Sequence, residues 1–142
     1  MQAAMQQLVR EKNICVLATC RENKPYCSLM AYAANADGTE IYLTTLRSTR
    51  KYRNIVENPA VSLMIDTREA MPRSRAMALT VEGTCTPIED AGKQQLVRAQ
   101  LLAALPHLQE FLAHGDNVLL CVTIRSLLLL KGLTEAHFAT LA

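Results

Sequence analysis

A succession of strand-length apolar runs, each closed off by turn chemistry, confines this chain to a sheet-based fold. The runs cover residues 14–19, 26–34, 40–46, 60–66, 76–87 and 117–130. Asn23 and Pro25 separate the first two. Asp37-Gly38 marks a hairpin, because glycine takes the positive φ that a tight two-residue loop demands. Asn58-Pro59 ends a helix, since proline cannot continue one. Residues 67–75 form a polar loop containing Pro72, and Gly83 interrupts the 76–87 run as a bulge or a point of close backbone approach.

Helical periodicity fills the gaps. Met5, Leu8, Val9 and Lys12 follow the i, i+3, i+4 rule, predicting a helix over residues 2–12. Tyr52, Ile55 and Val56 share one face of a second helix that opens after Ser48 and Thr49. A third covers 88–104; Pro106 restarts a fourth piece through 113, closed by His114-Gly115. The order αβββαββααβ, with the first three strands as an antiparallel meander, predicts a mainly β fold. We expect a closed antiparallel barrel with helices packed outside, a single domain over residues 1–142.

Composition removes several function classes. Half of the 142 residues are apolar and a fifth charged, as in one compact domain. Aromatics make up 4% with no Trp, too few for a platform that stacks single-stranded nucleic acid. Cys15, Cys20, Cys27, Cys85 and Cys121 are odd in number and show no C-x-x-C pair, so buried free thiols in a reducing compartment are expected. The start lacks the apolar core of a secretory signal. The apolar stretch 118–130 is broken by Thr123, Arg125 and Ser126, and falls short of the roughly 20 residues a membrane span needs. A cytoplasmic protein without membrane contact is expected. His107, His114 and His137 have no metal-ligand spacing, and Ser126 and Thr123 have no His or Asp nearby in sequence for a hydrolytic triad.

The informative segment is Thr44-Thr45-Leu46-Arg47-Ser48-Thr49-Arg50-Lys51-Tyr52-Arg53-Asn54. It leaves a strand, passes through hydroxyl residues and enters a helix N-terminus, with Ser48 or Thr49 as N-cap. First turns favour Asp and Glu, because the helix dipole is positive there. Here the turn carries Arg50, Lys51 and Arg53, with no acidic residue between Glu40 and Glu57. Free helix N–H groups, hydroxyls, a guanidinium and an ammonium together make a phosphate site. Removing Arg47, Arg50, Lys51 and Arg53 takes the formal charge from +2 to +2 − 4 = −2, so the basicity is a local spot and not a stripe. A short basic helix is also what an ordinary solvated face looks like. The segment matches neither the dinucleotide fingerprint nor the P-loop, and no second basic stripe supports nucleic acid. Arg73 and Arg75 reach a ligand or partner, or simply keep their loop soluble.

Residues 40–65 resemble the core motif of the FMN-binding split barrels of the pyridoxamine 5'-phosphate oxidase-like family. There a strand ends in Thr (Thr44), a Ser/Thr-Arg-Lys sequence opens a short helix (Thr49-Arg50-Lys51), and Asn-Pro (Asn58-Pro59) leads into the next strand (Val61-Ser62-Leu63). The start is similar too: a short helix, then Val16-Leu17-Ala18-Thr19, a polar turn ending at Pro25, and a strand towards Tyr32. The resemblance implies one FMN per subunit of a homodimer, lying against the second and third strands. It assigns Thr44, Thr49, Arg50 and Lys51 to the phosphate, with Leu43 and Thr45 beside them. It assigns the strand carrying Ser28, Leu29, Met30 and Tyr32 to the ring and ribityl chain. The chain departs from the family at Ser28 and Ala33, where basic residues are usual, and at 76–79, where a Gln is missing, so weaker or differently arranged flavin binding is implied. Residues 131–137 lack the family's Arg-x-His substrate motif, so a true pyridoxamine-phosphate oxidase is not expected. The implied function is a flavin-dependent oxidoreductase acting on a small molecule, with NAD(P)H as a candidate electron donor. A non-catalytic carrier of FMN or haem is the alternative.

Overall fold

The structure is a computed structural model describing residues 1–141. Its elements are α1 (Gln2–Glu11), β1 (Ile14–Arg21), β2 (Lys24–Ala31), β3 (Ala33–Ala34), β4 (Glu40–Leu46), α2 (Arg50–Glu57), β5 (Ala60–Asp66), β6 (Met77–Pro87), α3 (Ala91–Ala104), a 3-10 turn (Pro106–Leu108), α4 (Gln109–Ala113), β7 (Asn117–Lys131) and β8 (Glu135–Thr140). The strands form one antiparallel sheet in the order β2-β1-β5-β6-β7-β4-β3, with β8 beside β7. Its two ends, β2 and β3, are consecutive in the chain, so the sheet curls into a split barrel with helices on its flanks.

The expected second strand, residues 26–34, is broken at Tyr32. The Tyr32 N–H donates to Asn13 O (2.9 Å) and its hydroxyl to Val9 O (2.7 Å), which ties the residue into α1 and the loop after it. The first three strands are therefore not a meander. β2 pairs with β1, whereas β3 turns away to pair with β4. A further strand, β8, follows the expected last one after a turn at Gly132 (φ +60°). Its side chains are mostly exposed, so it leaves little apolar alternation in the sequence.

β7 is long enough to serve two partners on one edge. Asn117–Thr123 pairs with β4 and Ser126–Lys131 with β8, while β6 runs along the other edge. The bulge expected at Gly83 is present, with a register shift between Glu82 and Gly83. Two cores result. Alternate side chains such as Leu17, Ile41, Leu63, Leu79, Leu120 and Leu127 fill the barrel. Leu119, Cys121 and Tyr42, from the outer face of β7 and β4, pack beneath Val97 and Leu101 of α3 and Leu112 of α4. That double burial explains why the first half of β7 is a continuous apolar run.

α2 keeps Ile55 in the barrel core, but Val56 is exposed, contrary to expectation; Asn54 is buried instead, donating from Nδ2 to Thr19 Oγ1 at 3.0 Å. The thiols also divide. Cys15, Cys85 and Cys121 are buried, Cys20 is half-buried and Cys27 is exposed, with no disulfide among the described residues. Burial pushes Cys15 and Cys85 up to about 12, which keeps them protonated and inert.

A row of cross-strand neighbours crosses one face of the sheet. The row runs Leu29–Val16–Met64–Thr80–Leu128–Phe138 across six strands. Leu29, Met64 and Phe138 are exposed by 73%, 43% and 66%, leaving an uncovered apolar band.

Candidate functional site

The break at Tyr32 creates the site. β2 finds a sheet partner only in β1, and β4 beyond Tyr42 only in β7, among the described residues. Two strand edges therefore diverge from Tyr32 with backbone N–H and C=O groups unpaired between them. Such edges accept a ligand that can supply the missing hydrogen bonds. A cleft of about 260 Å³ lies there. Leu29, Met30 and Ala31 line it from β2, Thr44, Thr45 and Leu46 from β4, and Thr49 and Lys51 from the start of α2. Leu108 and Phe111 close one side.

The polar end is built by the strand-to-helix corner. Thr49 is the N-cap: its hydroxyl accepts from Tyr52 N at 3.3 Å and donates to Leu46 O at 2.8 Å. Thr45 Oγ1 lies 3.1 Å from Thr49 Oγ1. Arg53 N–H is held by Thr49 O, so the N–H groups of Arg50 and Lys51 are the ones left without an intrahelical partner. With Lys51 on the lining and no acidic residue in the first turn, this end favours an anion. Thr44 is less available. Its hydroxyl donates to Val118 O (3.1 Å) and accepts from Asn117 Nδ2 (2.7 Å).

The basic cluster fans out. Lys51 lines the cleft, but the Arg50 guanidinium sits 4.4 Å from the centre of the Tyr26 ring. Arg53 Nη1 donates to Ser48 O (2.9 Å) and Arg47 Nη1 to Asn117 O (3.1 Å). Of the strand residues expected at the ring, Leu29 and Met30 line the cleft. Ser28 is half-buried opposite Leu17 and outside the lining. Tyr32 and Leu43 have fully buried side chains in the barrel core and stand outside the lining. Ala33 is buried in the second core and lines a separate cleft beside Arg10, Lys12 and Gln100. Sequence reasoning missed Leu108 and Phe111. The one available signal was the apolar content of the 106–113 segment, which does not say what it covers.

A separate charged cluster fastens α3 to the barrel. Tyr42 donates to Glu40 Oε1 at 2.8 Å, and Lys93 Nζ lies 3.2 Å from both Glu40 oxygens. Burial pulls the Glu40 carboxyl up, but the bonds from Tyr42 and Lys93 outweigh it and hold it below the ordinary value. Burial and the Glu40 carboxylate raise Tyr42. No group of three or more His, Cys, Asp or Glu side chains could hold a metal ion among the described residues, and no helix there is long and apolar enough to cross a membrane.

The family model for pyridoxamine 5'-phosphate oxidase matches residues 1–131. No curated protein matches the sequence. Among solved structures, a heme binding protein from Mycobacterium smegmatis superposes with a TM-score of 0.82 at 20% identity, covering 97% of this chain and 57% of its own. This chain thus spans little more than half of that protein. A FAD-binding protein from Mesorhizobium loti gives 0.72 at 17% identity over 87% and 89% of the two chains. General Stress Protein 26 from Bacillus anthracis gives 0.72 at 19% over 96% and 95%. At these identities the likeness is one of fold.

Proposed function

The chain belongs to the pyridoxamine 5'-phosphate oxidase family, and we propose that it is an FMN-binding flavoprotein catalysing oxidation or reduction of a small molecule. The observation that carries this reading is the cleft between the unpaired edges of β2 and β4, apolar along Leu29, Met30 and Leu46 and capped at one end by Lys51 and the start of α2. A flat ring fits the apolar length and a phosphate fits the cationic end. The donor set suits this group better than haem, because Met30 is the one lining side chain of a type that serves haem as an axial ligand and no His, Cys or Tyr joins it.

In this reading Lys51 Nζ and the N–H groups of Arg50 and Lys51 hold the phosphate, with Thr45 and Thr49 fixing the corner that presents them. The free edge of β2 at Leu29–Ala31 supplies backbone donors and acceptors to the ring. Bound FMN supplies reversible hydride or electron transfer, and the protein anchors it and sets its surroundings. With Arg50 committed to Tyr26, and Ser28 and Ala33 carrying no charge, the anchor is weaker than four cations would make it.

The cleft volume falls below the roughly 300–1,000 Å³ of usual small-molecule sites. A homodimer would complete it. Leu29 lies both on the cleft lining and at the end of the uncovered apolar row, so a second copy covering that row would reach the mouth of the cleft.

The test is direct. Purified protein titrated with FMN should quench flavin fluorescence with one equivalent bound per chain. Turnover of NADH or NADPH against a panel of acceptors then separates an enzyme from a carrier of flavin. Absence of FMN binding, or a haem Soret band in its place, would sink the proposal.

A further inference from the structure

A second cleft, of about 770 Å³, opens where the β4–α2 corner meets α3 and the segment leading into β7. It shares no lining residue with the first. Arg47, Arg98 and His114 bring donors to it. Neither arginine is ion-paired with a carboxylate among the described residues. Arg47 is held in place through Asn117 O and still has N–H groups to spare. His114 Nδ1 accepts from Asp116 N at 3.0 Å, so the neutral ring carries its hydrogen on Nε2 and is a donor there.

Carboxylates are fewer. Glu89 is the one carboxylate on the lining. Asn117 also lines the cleft, but its Nδ2 is fixed on Thr44 and its Oδ1 is closed to solvent, so its amide is not open to a ligand.

We propose that this cleft binds a small organic anion, a carboxylate or phosphate, that carries its own hydrogen-bond donor. Arg47 and Arg98 pair with the anionic end, assisted by His114 Nε2–H. Glu89 receives the donor end. The presence of Glu89 favours zwitterions over plain dianions. The site is independent of the flavin reading, because Lys51 and the α2 N-terminus belong to the other cleft.

NMR titration of ¹⁵N-labelled protein, with FMN present, checks it using O-phosphoethanolamine, inorganic phosphate and sodium chloride as probes. O-phosphoethanolamine should give saturable shifts at the Gly115 and Asn117 amides and the Arg98 Nε–H, at lower concentration than phosphate. R98Q should weaken binding at least tenfold while leaving the rest of the spectrum in place. K51A, which cripples only the first cleft, should titrate like the native protein, so a failed flavin reading leaves this result standing. Shifts that fail to saturate, that sodium chloride reproduces, that survive R98Q, or that map to the Thr49–Lys51 amides would overturn the proposal. If R98Q disturbs the fold, R47Q provides the same test from the opposite wall.

Discussion

Replacing Lys51 by Ala probes the phosphate end of the first cleft through the one basic side chain of the cluster that lines it. A charge-assisted hydrogen bond is worth about 1.5–3 kcal/mol, equivalent to roughly 10- to 150-fold in affinity. Lys51 is half-buried and partly screened by water, so the lower end applies, about tenfold to thirtyfold. Arg50→Ala should cost less than Lys51→Ala, because that guanidinium already lies over the Tyr26 ring. The fold should tolerate K51A and gain slightly, since a cation leaves a helix N-terminus. Fluorescence titration of FMN and riboflavin against the native protein and both variants supplies the comparison, with circular dichroism melts as the check on folding. Riboflavin, lacking the phosphate, should bind the native protein weakly and ignore the change. Equal affinity for FMN and riboflavin in the native protein would refute the reasoning, as would an R50A loss larger than that of K51A.

Three further outcomes follow from the fold. Gly83→Ala would place a Cβ 2.4 Å from the Thr123 carbonyl oxygen, so the β6 bulge must shift, and urea melts should show a loss of about 1–3 kcal/mol or more. Glu40 is held below its ordinary carboxylate value of 4.5, so its stabilising contribution is full above that pH and drains away as pH falls through the lowered value; Glu40→Gln should flatten the acid limb of the stability curve, and an unchanged limb would place the acid sensitivity elsewhere. Light scattering should give twice the 15.7 kDa chain mass, and Phe138→Asp, in the uncovered apolar row, should lower it towards one chain; a native monomer at micromolar concentration would remove the shared-site argument.

What the sequence discloses is what local forces decide. The bounds of β4 and β5 follow from short apolar runs that begin after Asp37-Gly38 and Asn58-Pro59, and the Thr49 cap from hydroxyl chemistry at a strand-to-helix corner. The break at Tyr32 is invisible in the run Met30-Ala31-Tyr32-Ala33-Ala34, because its cause is tertiary: an N–H and a hydroxyl claimed by Asn13 and Val9 far back in the chain. That break nonetheless opens the barrel and makes the cleft. The basic cluster misleads for a different reason, and one that elementary helix geometry could have exposed. Neighbouring helical residues point about 100° apart, so Arg50 and Lys51, though adjacent in sequence, cannot share a face. One turns to the cleft and the other to Tyr26. Arg47 precedes the helix and obeys the turn, so it lines the second cleft instead. Charge that is contiguous in sequence is thus divided in space, and a single local count of +4 becomes one cation at the first site and one at another.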